Sequence, residues 1–174
     1  NLVGSYNADN VMAAIAVGVH FGVSFEDAVK AIEAYVPANK RSQMTKTERN
    51  TLIVDAYNAN PTSMAAALEN FSNVTAACKV ALLGDMLELG EESLAEHVAV
   101  IKSACSRGLA RVYFVGKEFQ AASAEVSAEM LSVAHFFATS DELSSHLAAD
   151  QLSGATILIK GSRGTRMENV IPVL

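Results

Sequence analysis

From residue 51 onward, short apolar runs alternate with stretches whose apolar positions recur every three or four residues. The runs at 51–56, 79–83, 111–115, 134–138 and 156–160 have strand length, and four of them are continuous rather than alternating in polarity. Continuous apolar strands belong in a parallel sheet covered by helices on both faces. The segments at 62–74, 91–106, 117–124 and 141–151 carry helical spacing, and a short turn follows near 167–170. Pro61 suits the opening of the first of these helices. The order βαβαβαβαβ with short connections predicts right-handed crossovers and a Rossmann-like, doubly wound, mostly parallel α/β sheet. The sequence shows no internal repeat and no low-complexity segment.

Before residue 51 the pattern differs. Residues 7–36 read as two helices. The first is Ala-rich and apolar all round from Val11 to Val17, which predicts a buried helix ending at Gly22. Ser24 caps the second, with Asp27 three residues on where a Glu would complete a capping box, and Pro37 stops it. The stretch 38–50 is polar and mostly aperiodic, so it marks a domain boundary, part of which could be strand. We divide the chain into a helical tail at 1–40 and an α/β domain at 41–174. It opens on Asn1 in what reads as the middle of a longer sequence, so a fragment is expected.

Composition narrows the function. Hydrophobic residues make up 51% of the 174 and charged ones 18%, which supports a buried core and argues against disorder. A formal net charge of −6 argues against a nucleic-acid surface, which needs a basic face. Two cysteines, Cys78 and Cys105, are too few for a disulfide scaffold, fit no metal spacing and read as small buried apolar side chains. No apolar run is long enough to span a bilayer and no signal peptide opens the chain, which leaves the cytoplasm as the default compartment.

The candidate chemistry lies at the strand ends. In a parallel sheet every carboxyl end lies on one rim, so groups scattered in sequence converge there. The first strand ends in Asp55, followed by Ala56-Tyr57-Asn58-Ala59-Asn60-Pro61. The others end in Gly84-Asp85, Gly116-Lys117, Ser140-Asp141 and Lys160-Gly161-Ser162-Arg163-Gly164. Gly116-Lys117 and Ser140-Asp141 read as turn and cap residues, whereas Asp55 and the last loop favour a ligand. In that loop two glycines let a backbone approach closely, Ser162 donates a hydroxyl, Arg163 offers a bidentate fork and Lys160 a point charge. The combination suits a carboxylate or phosphate, although it is not a Walker A loop. The segment from Leu83 to Glu92 carries four acids and reads equally as a solvated loop, while His97 reads as a packed or surface residue. No nucleophile elbow and no metal spacing emerge, so the chain carries half of an active site.

Asp55-Ala-Tyr-Asn-Ala-Asn-Pro, then Leu83-Gly-Asp-Met-Leu-Glu-Leu-Gly with His97 downstream, then Lys160-Gly-Ser-Arg-Gly form an ordered set. It resembles the Mur ligase family, and within it the MurF type. Asn7-Ala-Asp-Asn10 before an Ala-rich helix, and Arg41 in the linker, resemble the end of that family's central ATP-binding domain. The resemblance implies the C-terminal Rossmann-like domain of a cytoplasmic peptidoglycan-precursor ligase. Such an enzyme uses ATP and Mg2+ to add D-alanyl-D-alanine to UDP-N-acetylmuramoyl-tripeptide through an acyl phosphate. It further implies that Asn10, Arg41, Asp55, Tyr57, Asn58 and Asn60 serve the nucleotide. Asp85, Met86, Lys160, Ser162 and Arg163 would serve D-alanyl-D-alanine. The family's P-loop, catalytic lysine and magnesium-binding residues have no counterpart here, and Lys40 stands where a Gly precedes the linker Arg. The resemblance therefore implies a chain that completes a site begun by N-terminal and central domains, and that is inactive alone. A folylpolyglutamate-type ligase and a stand-alone α/β binding module are the alternatives.

Overall fold

The computed structural model describes residues 7–35 and 43–174. Its strands are β1 (Gln43–Lys46), β2 (Thr51–Asp55), β3 (Lys79–Gly84), β4 (Arg111–Val115), β5 (Ala134–Phe137) and β6 (Thr156–Lys160). They form one sheet in the order β1-β2-β6-β3-β4-β5, with β1 antiparallel to β2 and every other pairing parallel. The five strands expected from the apolar runs are all present, and β1 is the strand inside the polar linker.

Strand alternation sorts the core into two layers. Ile53, Leu83, Phe114 and Leu158 face α3 (Pro61–Ser72), α4 (Ser93–Cys105) and α5 (Lys117–Ser123). Val54, Leu82, Tyr113 and Ile159 face α6 (Ser140–Ala149) and a 3-10 segment, Met167–Val173. With both faces covered, the strand interiors must be apolar on both sides, which is why they read as continuous runs. The last strand, β6, inserts between β2 and β3. Its exit turns to the face opposite α3 and α4, so crevices open on the carboxyl rim on either side of it.

Two expectations need correction. The helix α1 (Ala8–His20) has no buried residue, and Met12 and Val17 are 66% and 58% exposed. An all-round apolar pattern permits burial, but burial needs neighbours, and the main packing partner of α1 among the described elements is α2 (Phe25–Ala34). Cys78 and Cys105 are half-buried rather than fully buried, against opposite layers of the core. At α2, Ser24 accepts the Asp27 N–H at 3.1 Å, but its hydroxyl donates to the Asp27 carboxylate at 2.7 Å. The cap is therefore reciprocal through side chains rather than a full capping box.

Candidate functional site

The carboxyl rim is built around Asp55 and Lys160. Register places them side by side at the ends of β2 and β6, and Leu83 of β3 flanks Lys160 on the other side. The Lys160 side chain is 1% exposed, and its Nζ donates to Asp55 Oδ2 at 2.6 Å and to the Asn58 carbonyl at 3.2 Å. A lysine this deep is stable only when paired; stripping its partner would cost about 3–5 kcal/mol. Asp55 is 14% exposed, and its Oδ1 has no hydrogen-bond partner among the described residues. One carboxylate oxygen is thus held and the other is open to the rim.

The turn after β2 is tightly organised. Asn58 Oδ1 accepts the Ala59 N–H at 2.9 Å. Asn60 caps α3 in a capping box with Ser63, and Pro61 takes the first helical position. Tyr57, Asn58 and Asn60 are exposed. Ser162, buried, ties three strand exits together: it accepts the Leu87 N–H at 3.0 Å, donates to the Ala59 carbonyl at 3.3 Å, and its own N–H donates to the Asp85 carbonyl at 3.1 Å.

Asp85 is also buried, and both oxygens are engaged by the start of α5: Oδ2 by the Glu118 N–H at 3.1 Å and Oδ1 by the Phe119 N–H at 3.0 Å. Burial pushes its carboxyl above the ordinary range, against the downward pull of these two N–H groups. Met86 is buried, and its N–H donates to His97 Nε2 at 3.1 Å; His97 Nδ1 lies 2.7 Å from the Ser93 carbonyl. This fixes the neutral tautomer with the proton on Nδ1. The 3.7 Å approach of Nε2 to Asp85 is therefore not an ion pair, and Ser93, His97 and Asp85 do not form a nucleophilic triad.

Beyond this knot lies a cleft of about 440 Å³ at the ends of β4 and β5. These neighbouring strands feed helices on opposite faces, which is where doubly wound sheets place ligands. Lys117 and Arg166 line it as cations, and Asp141 and Asn169 as an acid–amide pair at 2.9 Å. Gly116 holds the N-cap position of α5, but α6 is capped by Thr139, whose hydroxyl accepts the Glu142 N–H, so Ser140 and Asp141 open that helix rather than cap it; all four residues of the two pairs line the cleft. Sequence reasoning reached Arg166 only as the end of the basic run Lys160–Arg166, which suits a small anion, and missed Asn169, whose only signal was its place after that run. Arg163 is exposed, next to the cleft-lining Gly164. Asn10 is exposed on the first turn of α1, and Arg41 lies outside the described residues.

A doubly wound α/β domain with a buried lysine–carboxylate pair on one rim and a charged cleft beside it has the architecture on which α/β proteins place ligands. The family model described as "Mur ligase, glutamate ligase domain" matches residues 40–163, and the chain belongs to that family. It is 36% identical over 176 residues to the UDP-N-acetylmuramoyl-tripeptide–D-alanyl-D-alanine ligase of Treponema pallidum, covering 99% of this chain and 38% of that protein. MurF from Acinetobacter baumannii superposes with a TM-score of 0.86 at 33% identity, covering 97% of this chain and 37% of the other. A MurF ligase of Thermotoga maritima, solved in complex with ADP, has the same fold, with a TM-score of 0.76 at 21% identity over 99% of this chain and 38% of its own. The chain thus spans about 38% of the length of the curated relative it matches.

Proposed function

We propose that this chain is the C-terminal part of an ATP-dependent ligase of the MurF type, which joins D-alanyl-D-alanine to UDP-N-acetylmuramoyl-tripeptide. In this reading 1–40 is the tail of a central ATP-binding domain and 41–174 the domain that closes over the nucleotide. The UDP-linked acceptor makes the cytoplasm the expected compartment. Arg41 and Asn10 join the nucleotide side from the linker and from α1.

The observation that carries the reading is Asp55, held on one oxygen by Lys160 and open on the other, beside the exposed Tyr57 and Asn58. An open carboxylate oxygen is the acceptor a ribose hydroxyl requires. The neighbouring cleft supports the second substrate. A dipeptide with a free amine and a free carboxylate needs both signs of charge, and Arg166 and Lys117 oppose Asp141 there. Asp85 and Leu87, on either side of the buried Met86, line this cleft, and the exposed Arg163 adjoins it at Gly164. Holding the amine where an acyl phosphate is presented supplies positioning, the main service a domain of this kind renders.

Among the described residues no three His, Cys, Asp or Glu side chains come together to hold a metal ion. In the Mur ligase reading the Mg2+ ligands belong to the central domain, and the chain alone is expected to lack ligase activity. The test uses the full-length enzyme. Asp55→Ala and Arg41→Ala each lower kcat/KM for ATP by at least about tenfold, the loss of one charged contact to the nucleotide, with the far-UV spectrum unchanged. An unchanged kcat/KM for ATP in both variants refutes the nucleotide assignment.

A further inference from the structure

The loop after β6 looks like a single ligand-binding unit in which Lys160, Ser162 and Arg163 act together. The geometry separates them. Lys160 is the last residue of β6 rather than part of the loop, and it is 1% exposed. Alternation sends it to the layer of Leu158, toward the β2 exit and away from the face reached by the cleft-lining Thr165–Arg166 segment. Its two identified acceptors, Asp55 Oδ2 and the Asn58 carbonyl, both belong to the segment assigned to the nucleotide. Ser162 adds a second tie from β6 to the same turn through the Ala59 carbonyl.

We infer that Lys160 is a positioning residue for the nucleotide subsite: it clamps Asp55 and the Asn58 turn in the orientation that receives ATP, and it makes no contact with the dipeptide. The inference rests on the proposed role of Asp55. Physically, a carboxylate at a strand end has rotational freedom, and fixing one oxygen with a buried ammonium leaves the other aimed at the ligand without an ordering cost on binding. The same ammonium holds the Asn58 carbonyl, so side chain and turn are set by one donor group. The β6 exit then couples the two subsites mechanically, with Lys160 and Ser162 facing the nucleotide turn and Arg163 and Arg166 left on the exposed side.

The test is a double-mutant cycle on the Michaelis constants of the full-length enzyme. Lys160→Met and Asp55→Asn each raise the KM for ATP on the order of tenfold, the loss of one charge-assisted contact. The KM for D-alanyl-D-alanine stays within about twofold, because the dipeptide cleft is untouched. The double variant is no worse than Asp55→Asn alone, because Lys160 acts through Asp55. An additive loss, or a rise in the dipeptide KM with ATP unaffected, overturns the inference. If Asp55→Asn leaves the KM for ATP unchanged, the nucleotide reading itself fails; if only Lys160→Met leaves it unchanged, that reading survives and this inference does not. A measurement on the unmodified enzyme removes any dependence on folding of the variants. The Nζ resonance of Lys160 shifts on addition of ADP and not of D-alanyl-D-alanine. The reverse pattern, or no shift with ADP, overturns the proposal.

Discussion

The carboxylate of Asp85 fills the space that a side chain on Gly116 would need. Gly116 sits at φ 124°, outside the range L-residues adopt, and its turn delivers the Glu118 and Phe119 N–H groups to Asp85. Backbone conformation and carboxylate placement therefore depend on each other. Gly116→Ala introduces strain and displaces the acid that caps α5, and we expect it to lower unfolding stability by about 3 kcal/mol in urea. A loss under about 1 kcal/mol means that the β4 exit can relax without cost.

Asp85 also makes a prediction about pH. Its folded carboxyl is raised by burial, so the native state holds the proton more tightly than the unfolded chain does. Stability from this group is fully present below the unfolded value of about 3.9 and is lost as pH rises through the raised folded value. This is opposite in sign to the usual salt-bridged carboxylate. The difference in unfolding free energy between wild type and Asp85→Asn should therefore shrink as pH rises above about 3.9 and flatten once the raised folded value is passed. A difference that grows with pH means that the two α5 N–H groups outweigh desolvation.

The interior strands were legible because both their faces are covered and they must be apolar throughout; 79–83 and 156–160 show this directly. The strand order was not. Inserting β6 between β2 and β3 depends on pairings about a hundred residues apart, such as Asp55 with Lys160, which leave no local trace. That insertion separates Lys160 from the loop that follows it. Asp85 appeared among four acids in a loop, and only the fold distinguishes it, buried on α5, from the exposed Glu88, Glu91 and Glu92. The shape of α1 was readable, but its burial was not, because burial is a property of what packs against a helix.

Asn50 lay unnoticed at the end of the polar linker, yet it is buried and fully engaged. Its Nδ2 donates to the Leu152 and Leu174 carbonyls at 2.9 and 2.8 Å, and its Oδ1 accepts the Ala155 N–H at 3.1 Å. It ties the β1–β2 turn to the entry of β6 and to the last residues of the chain, at the rim opposite the candidate site. Asn50→Ala leaves three backbone groups without this partner and should cost about 2–4 kcal/mol of stability. Because it acts at the far rim, neither substrate's KM should move. A changed KM for ATP or for D-alanyl-D-alanine means that the two rims are coupled.

Arg166 separates stability from function at a single position. It is a non-glycine residue at φ 49°, ψ 46°, joining the short turn Arg163–Thr165 to the segment Met167–Val173, and it lines the cleft. A left-handed arginine costs about 1 kcal/mol relative to glycine, and strain of this kind persists where the side chain is needed. Arg166→Gly should therefore raise unfolding stability by about 0.5–1 kcal/mol while raising the KM for D-alanyl-D-alanine about tenfold, with the KM for ATP unchanged. Arg163→Ala, exposed beside the cleft, should raise the dipeptide KM by a smaller factor, still larger than its effect on ATP, and bring no gain in stability. If Arg163→Ala has the larger effect on the dipeptide, the carboxylate lies nearer the β6 exit than the β4–β5 cleft. If Arg166→Gly is destabilising, the guanidinium contributes packing that exceeds the backbone strain it imposes.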